Sequence, residues 1–322
     1  MRGMTYFDVF NGDADGICAL HQLRLSNPRE SLLITGVKRD IALLKQVQAS
    51  SQDEVVVLDI SLDKNRDALS DVLEAGAQVY YFDHHFAGDI PVENHLYAYI
   101  NTASNTCTSL LVNKFLGGEY LAWAVTAAFG DNLFEAARIA AKPLQMQDNQ
   151  IEQLKDLGTL MNYNGYGVSV DDLHVHPADL YRAVQPYATP FDFIHQSNVY
   201  TILAQGYAED MACAEQELQI ETGTKNTAWV ILPDQAWARR ISGIYANRLA
   251  REFPYRAHAL LTVLDDDFYR VSVRAPLENK QGADELCMQF PTGGGRKAAA
   301  GINALPVDKL DDFIAAFYQQ YQ

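Results

Sequence analysis

Glu54-Val55-Val56-Val57-Leu58-Asp59 is the stretch that decides the fold. Four consecutive apolar residues, three of them β-branched, suit a strand covered on both faces, as in a parallel sheet flanked by helices. C-terminal to it, Asp63 to Ala75 is predicted as a helix that Gly76 ends, and Ala77 to Phe82 as the next strand. N-terminal to it, Thr5 to Phe10 reads as a short strand and about Ile17 to Leu25 as a helix. Ser31 to Val37 is a second strand, and Ile41 to Gln48 a short helix. Strand–helix–strand alternation at this spacing predicts an α/β fold with a doubly wound, mostly parallel sheet.

The strands share a property beyond their apolarity: they run into acids. The central one stops on Asp59, the first leads into Asn11-Gly12-Asp13-Ala14-Asp15-Gly16, and another reads Tyr80-Tyr81-Phe82-Asp83-His84-His85. Taken singly, each is an ordinary polar turn, since Asp and Gly are favoured there. An EF-hand start at Asp13 fails because residues 24–25 supply no bidentate glutamate. In a parallel sheet, however, the carboxyl ends lie on one rim, where ligands of open α/β sheets sit. A Ser/Thr/Asn-rich loop, Asn101 to Thr108, caps a helix from Thr108 to Phe115. After Gly117-Gly118, a second apolar helix, Leu121 to Phe129, closes on Gly130-Asp131-Asn132. An acid at a helix C-terminus opposes the helix dipole, so Asp131 calls for a compensating cation. Carboxylates gathered on one rim repel and their pKa values rise. Divalent ions remove the conflict, and oxygen ligands plus imidazole favour Mn²⁺ over Mg²⁺. Two ions sharing a carboxylate, ~3.5–4 Å apart, would hold a hydroxide and clamp a phosphoryl group.

The remaining chain is less regular. Residues 144–161 read as helix and Asn162 to Gly167 as a loop. His174-Val175-His176 reads as a pair of loop histidines, because no carboxylate cluster accompanies them. Tyr207 to Thr222 is predicted as a helix, Ala228 to Leu232 as a strand and Ser242 to Phe253 as a helix. Ala257 to Leu264 and Phe268 to Arg274 form strands joined by a hairpin turn at Asp265-Asp266-Asp267. A helix over 281–289 precedes a glycine-rich loop, Pro291 to Gly301, and a final helix spans Val307 to Tyr321. These elements suggest a larger domain over 1–200, with a helical linker at its end, and a smaller α/β domain over 201–322.

Composition sets the outer limits. A chain of 322 residues with 48% apolar content supports two cores. No apolar run reaches the ~18 residues needed to span a bilayer. Met1-Arg2-Gly3-Met4-Thr5 enters a strand without a signal-like apolar core, so a cytoplasmic protein without membrane association is expected. Cys18, Cys107, Cys213 and Cys287 are widely spaced, which argues against a thiolate zinc site and for small buried residues. A net charge of −16 disfavours a protein that coats long nucleic acid. Residues 239–301 nevertheless carry ten Lys/Arg against seven Asp/Glu, which suits a pocket for a small phosphorylated substrate.

In order along the chain, Asp13-Ala14-Asp15-Gly16, Asp59, Asp83-His84-His85 and Gly130-Asp131 resemble the four motifs of the DHH phosphoesterase superfamily. Gly293-Gly294-Gly295-Arg296-Lys297-Ala298-Ala299-Ala300-Gly301 is similar to the glycine-rich signature of its DHHA1 C-terminal domain. The resemblance implies two Mn²⁺ ions (Mg²⁺ as substitute) in a cleft between the domains and cleavage of phosphodiester or phosphoanhydride bonds. It implies that Asp15, Asp59, His84 and Asp131 hold one ion, and that Asp13 and a bridging Asp59 hold the other. His85 would contact the scissile phosphate and Asp83 would orient the histidines. Arg274 would grip a substrate phosphate, with Gly293, Gly294 and Gly295 offering backbone N–H groups and Arg296 and Lys297 beside them. Two positions depart from the family pattern. Val9, Phe10 and Asn11 precede Asp13 where many members carry a metal-binding histidine, so that site is expected to be weaker or to be filled by Asn11 or water. Arg296 replaces the DHHA1 histidine, a change expected to alter substrate choice. The implied activity is a Mn²⁺-dependent phosphodiesterase that converts very short oligonucleotides to mononucleotides. Linear dinucleotides such as pGpG, from cyclic second-messenger breakdown, are the first choice of substrate. The alternatives are hydrolysis of cyclic dinucleotides or of 3′-phosphoadenosine 5′-phosphate, and a nucleotide-binding regulator with an impaired first metal site. A homodimer is left open.

Overall fold

The computed structural model describes residues 3–265 and 267–322. Met1 and Arg2, at the head of the N-terminal stretch, and Asp266, the centre of the expected hairpin turn, lie outside the described residues. The chain divides into two units, Met1–Gln205 and Gly206–Gln322.

The first unit is built on β1 (Tyr6–Phe10), α1 (Ala14–Ser26), β2 (Leu32–Ile34), β3 (Glu54–Leu58), α2 (Arg66–Glu74), β4 (Gln78–Asp83) and β5 (Leu96–Ile100). Its five strands are all parallel, in the order β2-β1-β3-β4-β5. As its apolar run requires, β3 lies inside, with Val55, Val56, Val57 and Leu58 all buried. One sheet face packs Phe7, Val9, Val55, Val57, Val79 and Tyr81 against Leu43 and Leu44 and against Leu69 and Val72 of α2. Each such side chain contributes about 1.5–3 kcal/mol on full burial. Helix α1 packs with α3 (Thr108–Phe115) and α4 (Leu121–Gly130).

Register brings the strand ends level. Phe10 pairs with Leu58, and Leu58 with Phe82. The ladder continues past them, because Asn11 N–H donates to Leu58 O (3.1 Å) and Asp59 N–H to Phe82 O (3.0 Å). Asn11 and Asp59 therefore leave the sheet level with Asp83, the last residue of β4. The order 2-1-3-4-5 reverses direction at β1/β3, which opens the crevice used by ligands in such sheets.

Several expectations need correction. The first helix begins earlier, at Ala14, because Asp13 caps it: Oδ1 accepts from the N–H groups of Asp15 and Gly16. The helix expected over Ile41 to Gln48 shrinks to one 3₁₀ turn, Leu43–Gln46. Strand β5, α5 (Phe134–Ala141), α7 (Pro177–Val184) and α8 (Pro190–Gln196) were not expected, and α6 (Asp148–Asn164) extends over Asn162, Tyr163 and Asn164. The helix expected over Tyr207 to Thr222 is displaced to α9 (Asn198–Glu217), and its last residues lie in β6 (Glu221–Thr224).

The second unit continues with β7 (Thr227–Leu232), α10 (Ala236–Glu252), β8 (Ala257–Asp265), β9 (Phe268–Arg274) and α11 (Ala283–Cys287). It ends with β10 (Gly293–Arg296), β11 (Ala299–Pro306) and α12 (Leu310–Gln320). Its six strands run β10-β11-β9-β8-β7-β6. The β7–β8 pair is parallel and the other neighbours are antiparallel. One face buries Ala259, Leu261, Val271, Val273 and Ile302 against Leu286, Phe313 and Phe317 of α11 and α12. The glycine-rich stretch is not a loop. Gly293 to Arg296 form a strand paired with β11. Among the described residues no helix is long and apolar enough to cross a membrane.

Candidate metal centre

At the carboxyl rim of the first sheet, His84 Nε2 is the point of convergence. It lies 3.4 Å from Asp59 Oδ1, 3.5 Å from Asp131 Oδ2 and 3.9 Å from Asp15 Oδ2. Two groups of potential metal ligands result, Asp15 with His84 and Asp131, and Asp59 with His84 and His85. Asp131 closes α4, Asp15 opens α1, and Asp59 and His84 follow β3 and β4. Asp59 adopts φ 60°, a left-handed conformation that costs most side chains energy and that Asp tolerates comparatively well. His85 Nδ1 meets Asp83 Oδ1 at 2.7 Å, and Asp83 is fully buried.

The N-terminus of α3 completes the setting of Asp15. The backbone N–H groups of Thr108 and Ser109 donate to its two oxygens, each at 2.7 Å, and Thr108 Oγ1 donates to Asp59 Oδ1 at 3.0 Å. Even so, burial and the neighbouring Asp59 charge push the Asp15 pKa up to about 7. Burial and Asp13 push Asp59 up to about 6. Burial works against the charged form of His84, but its contacts with Asp59, Asp15 and Asp131 outweigh that and raise its pKa to about 10. Burial also opposes the charged form of His85, yet its bond to Asp83 raises its pKa. Acids that hold protons near neutrality around one imidazole are a donor set short of positive charge. Asp15, His84 and Asp131, or Asp59, His84 and His85, could hold a divalent ion.

Asp13 is placed differently. Its Oδ1 caps α1, accepting from Asp15 N–H (3.0 Å) and Gly16 N–H (3.2 Å), and its Oδ2 accepts from the Lys38 ammonium. Lys38 Nζ also donates to Asn162 Oδ1 (2.8 Å) and Asp131 Oδ1 (3.3 Å). The cation that Asp131 calls for is thus supplied by the chain itself. Burial tends to raise the Asp13 pKa, but Lys38 holds it below the usual carboxylate value. The loop carrying Lys38 comes this close because Gly12 has no side chain: a Cβ there would lie 1.9 Å from Gly36 O. Asn11 supports the loop, its Nδ2 donating to Lys38 O at 3.2 Å, and Lys38 N–H donates to Gly165 O at 2.8 Å. Sequence reading missed Lys38, Asn162, Thr108 and Ser109 as parts of the site. The available signal was the Lys38-Arg39 pair just after a strand of the same rim.

In the second unit, Arg274 and Arg296 each pair with Ala299, from opposite sides of β11. Residues level across a sheet point to the same face, so the two arginines share a row with only a methyl group between them. Arg274 is steadied by Asn247 Oδ1 (2.8 Å from Nε) and Ser272 Oγ (3.0 Å from Nη1). Arg296 and Lys297 are exposed. Gly294 and Gly301 continue the same face without side chains. Gly293 and Gly295 turn to the other side, where a Cβ would meet Cys287 O at 1.8 Å or Ala300 Cα at 2.5 Å. The outcome is a basic row beside bare backbone.

The two loop histidines are bound locally. Tyr163 Oη meets His174 Nε2 at 2.7 Å, and His176 Nδ1 accepts from Ala178 N–H to cap α7. Cys18, Cys107 and Cys287 are buried and Cys213 is partly exposed; none forms a disulfide.

Comparisons with known proteins agree with this architecture. Residues 226–322 match the DHHA1 domain family. No curated protein matches the sequence. Among solved structures, a DHH-domain protein described as a member of the s1p family of ribosomal proteins is similar, with TM-score 0.64 and 14% identity, over 99% of this chain and 86% of that one. The exonuclease RecJ bound to manganese gives TM-score 0.56 and 15% identity over 98% and 90%. The pGpG-specific phosphodiesterase PggH of Vibrio cholerae gives TM-score 0.56 and 15% identity over 99% and 98%. Residues 226–322 thus form a DHHA1 domain, and the chain as a whole shares its fold with these solved structures.

Proposed function

We propose that this protein is a Mn²⁺-dependent phosphodiesterase that hydrolyses very short oligonucleotides, with linear dinucleotides of the pGpG kind as preferred substrate. The observation that carries the reading is the convergence of Asp15, Asp59 and Asp131 on His84 Nε2 within 3.4–3.9 Å. These side chains come from four separate parts of the chain, and the rim has no use for so much negative charge except to bind cations. A divalent ion held there supplies Lewis acidity to a phosphoryl group and makes water a stronger nucleophile.

The protein's own groups do the rest. With Nδ1 engaged by Asp83 and its pKa raised, His85 presents a protonated Nε2 to a phosphoryl oxygen as charge builds on it. Arg274, Arg296 and Lys297, beside the bare strand of Gly293, Gly294 and Gly295, hold a substrate phosphate. Net charge −16 works against capture of long polymers and for short substrates. The similarity to a pGpG-specific phosphodiesterase along nearly its whole length supports the same choice.

The test is a length series of 5′-phosphorylated oligoribonucleotides, from two to ten residues, with Mn²⁺, with Mg²⁺ and with EDTA. Dinucleotides should be consumed fastest, with mononucleotide products and no turnover in EDTA. Equal rates along the series would remove the size limit. Tight binding of dinucleotide without turnover would favour the regulator.

A further inference from the structure

We propose that the centre takes one divalent ion, the Lys38 ammonium standing where a second would be bound. The inference rests on reading this rim as a metal site, and it concerns how many ions that site admits.

The ligands separate into two sets. Asp15 with Asp131 and Asp59 with His85 form two groups that share His84, whose Nε2 lies 3.4–3.9 Å from Asp59, Asp131 and Asp15; a single ring nitrogen binds a single ion. Asp13, the acid that the resemblance assigns to a second ion, belongs to neither group of potential ligands among the described residues. Its Oδ1 is committed to capping α1 and its Oδ2 to Lys38.

Lys38 is a built component, not a surface side chain folded in by chance. Its backbone is held on both sides, by Gly165 O and by Asn11 Nδ2. An ammonium has three N–H donors, and these meet three acceptors on three separate segments: Asp13 Oδ2, Asp131 Oδ1 and Asn162 Oδ1. The Tyr166 ring lies 5.9 Å from Nζ. A dication at Asp13 would have to break the contact with Oδ2 and then sit beside a positive charge held by the same carboxylates. The residues that lead into Asp13, Val9, Phe10, Asn11 and Gly12, offer neither an imidazole nor a carboxylate to a second ion. A lysine supplies fixed charge to the rim but offers neither an open coordination position nor a water to activate.

The experiment is metal counting on the intact protein, stripped with chelator and re-equilibrated with Mn²⁺. Elemental analysis gives the stoichiometry, and electron paramagnetic resonance gives the state of the bound ions. The expected result is one Mn²⁺ per chain with the six-line spectrum of an isolated ion. Lys38→Ala and Lys38→Gln should each rise to two, with the broadened, exchange-coupled signal of a pair. Two coupled ions in the wild type would overturn the proposal and leave the phosphodiesterase reading standing. No bound Mn²⁺ in the wild type would overturn both. Folded Lys38 variants that still hold one ion would show that lysine is not what excludes the second. The wild-type count is decisive even if a variant fails to fold.

Discussion

The two sheets solve the same problem, collecting charged side chains in one place, by opposite means. In the first, every strand is parallel, so all carboxyl ends share a rim and acids follow β1, β3 and β4 at one level. In the second, most neighbours are antiparallel and strand ends alternate between rims. Its cations are instead set side by side across strands, Arg274 and Arg296 flanking Ala299. Residues 1–205 hold 13 Lys/Arg against 25 Asp/Glu, a net −12, while residues 206–322 hold 12 against 16, a net −4. The contrast teaches that end-on convergence is compact but buries like charges together, whereas a cross-strand row leaves its charges in contact with water. The first arrangement carries strain that a cation must relieve, and the second does not.

The harshest way to break this contrast is Asp59→Asn. Asparagine accepts the left-handed backbone of this position, so the change removes charge and little else. Turnover of a dinucleotide should fall on the order of 10³-fold, the scale of losing one preorganised electrostatic contact in an active site. Near-normal turnover would take Asp59 out of the metal centre. The same variant sharpens the contrast in metal-free protein. Asp59, with a pKa of about 6 when folded, binds more protons than the unfolded chain between pH 3.8 and 6. Wild-type unfolding free energy therefore falls as pH rises through that window, by up to about 3 kcal/mol. Urea unfolding in EDTA should find Asp59→Asn the more stable protein at pH 7 and the gap closing toward pH 4.

The second sheet should show the opposite slope. Burial lowers the His258 pKa to about 4, so the unfolded chain binds the extra proton between pH 6.5 and 4. Stability from this residue is present above pH 6.5 and is lost as pH falls through 4. His258→Gln, compared with wild type over that range, should flatten the acid limb; an unchanged slope would mean His258 is not buried neutral.

Smaller effects belong to the basic row. Arg274→Ala should raise KM roughly tenfold with kcat nearly kept, the loss of a charge-assisted contact. An unchanged KM would detach the row from substrate. Arg296 is exposed, and its contact is screened, so Arg296→Ala should raise KM only about two- to fivefold. A larger effect than that of Arg274→Ala would reverse the order in which the row grips phosphate.

Much of the first unit was legible because its strong signals are local. An unbroken apolar run such as Val55 to Leu58 has few structures open to it, and an acid at its end must lie on the rim. The glycine stretch at 293–296 misled because glycine carries no periodic pattern, and only the pairing with β11 reveals a strand. Strand β5 was missed for a different reason. It lies at the sheet edge with Tyr97 and Tyr99 exposed, stacked on Tyr80 and Phe82, so its stability comes from cross-strand ring contacts. The short helices between 134 and 196 were lost among prolines, although Pro177 and Pro190 stand at helix starts, where proline is favoured. Asp131 advertised its need for a cation by ending an apolar helix. That Lys38 answers it could not be read, because the two lie 93 residues apart and meet only through the fold.

The missing side chain at Gly12 reaches further than the turn it permits. Because the segment around Gly36 rests directly on it, the acid-bearing loop and the lysine-bearing loop are set against each other by main-chain contact before any ion arrives. Chelation should then empty the protein without unravelling it, and adding metal back should restore function at the pace of diffusion, not of refolding. Under the proposed function, such a protein waits, folded and idle, for its metal.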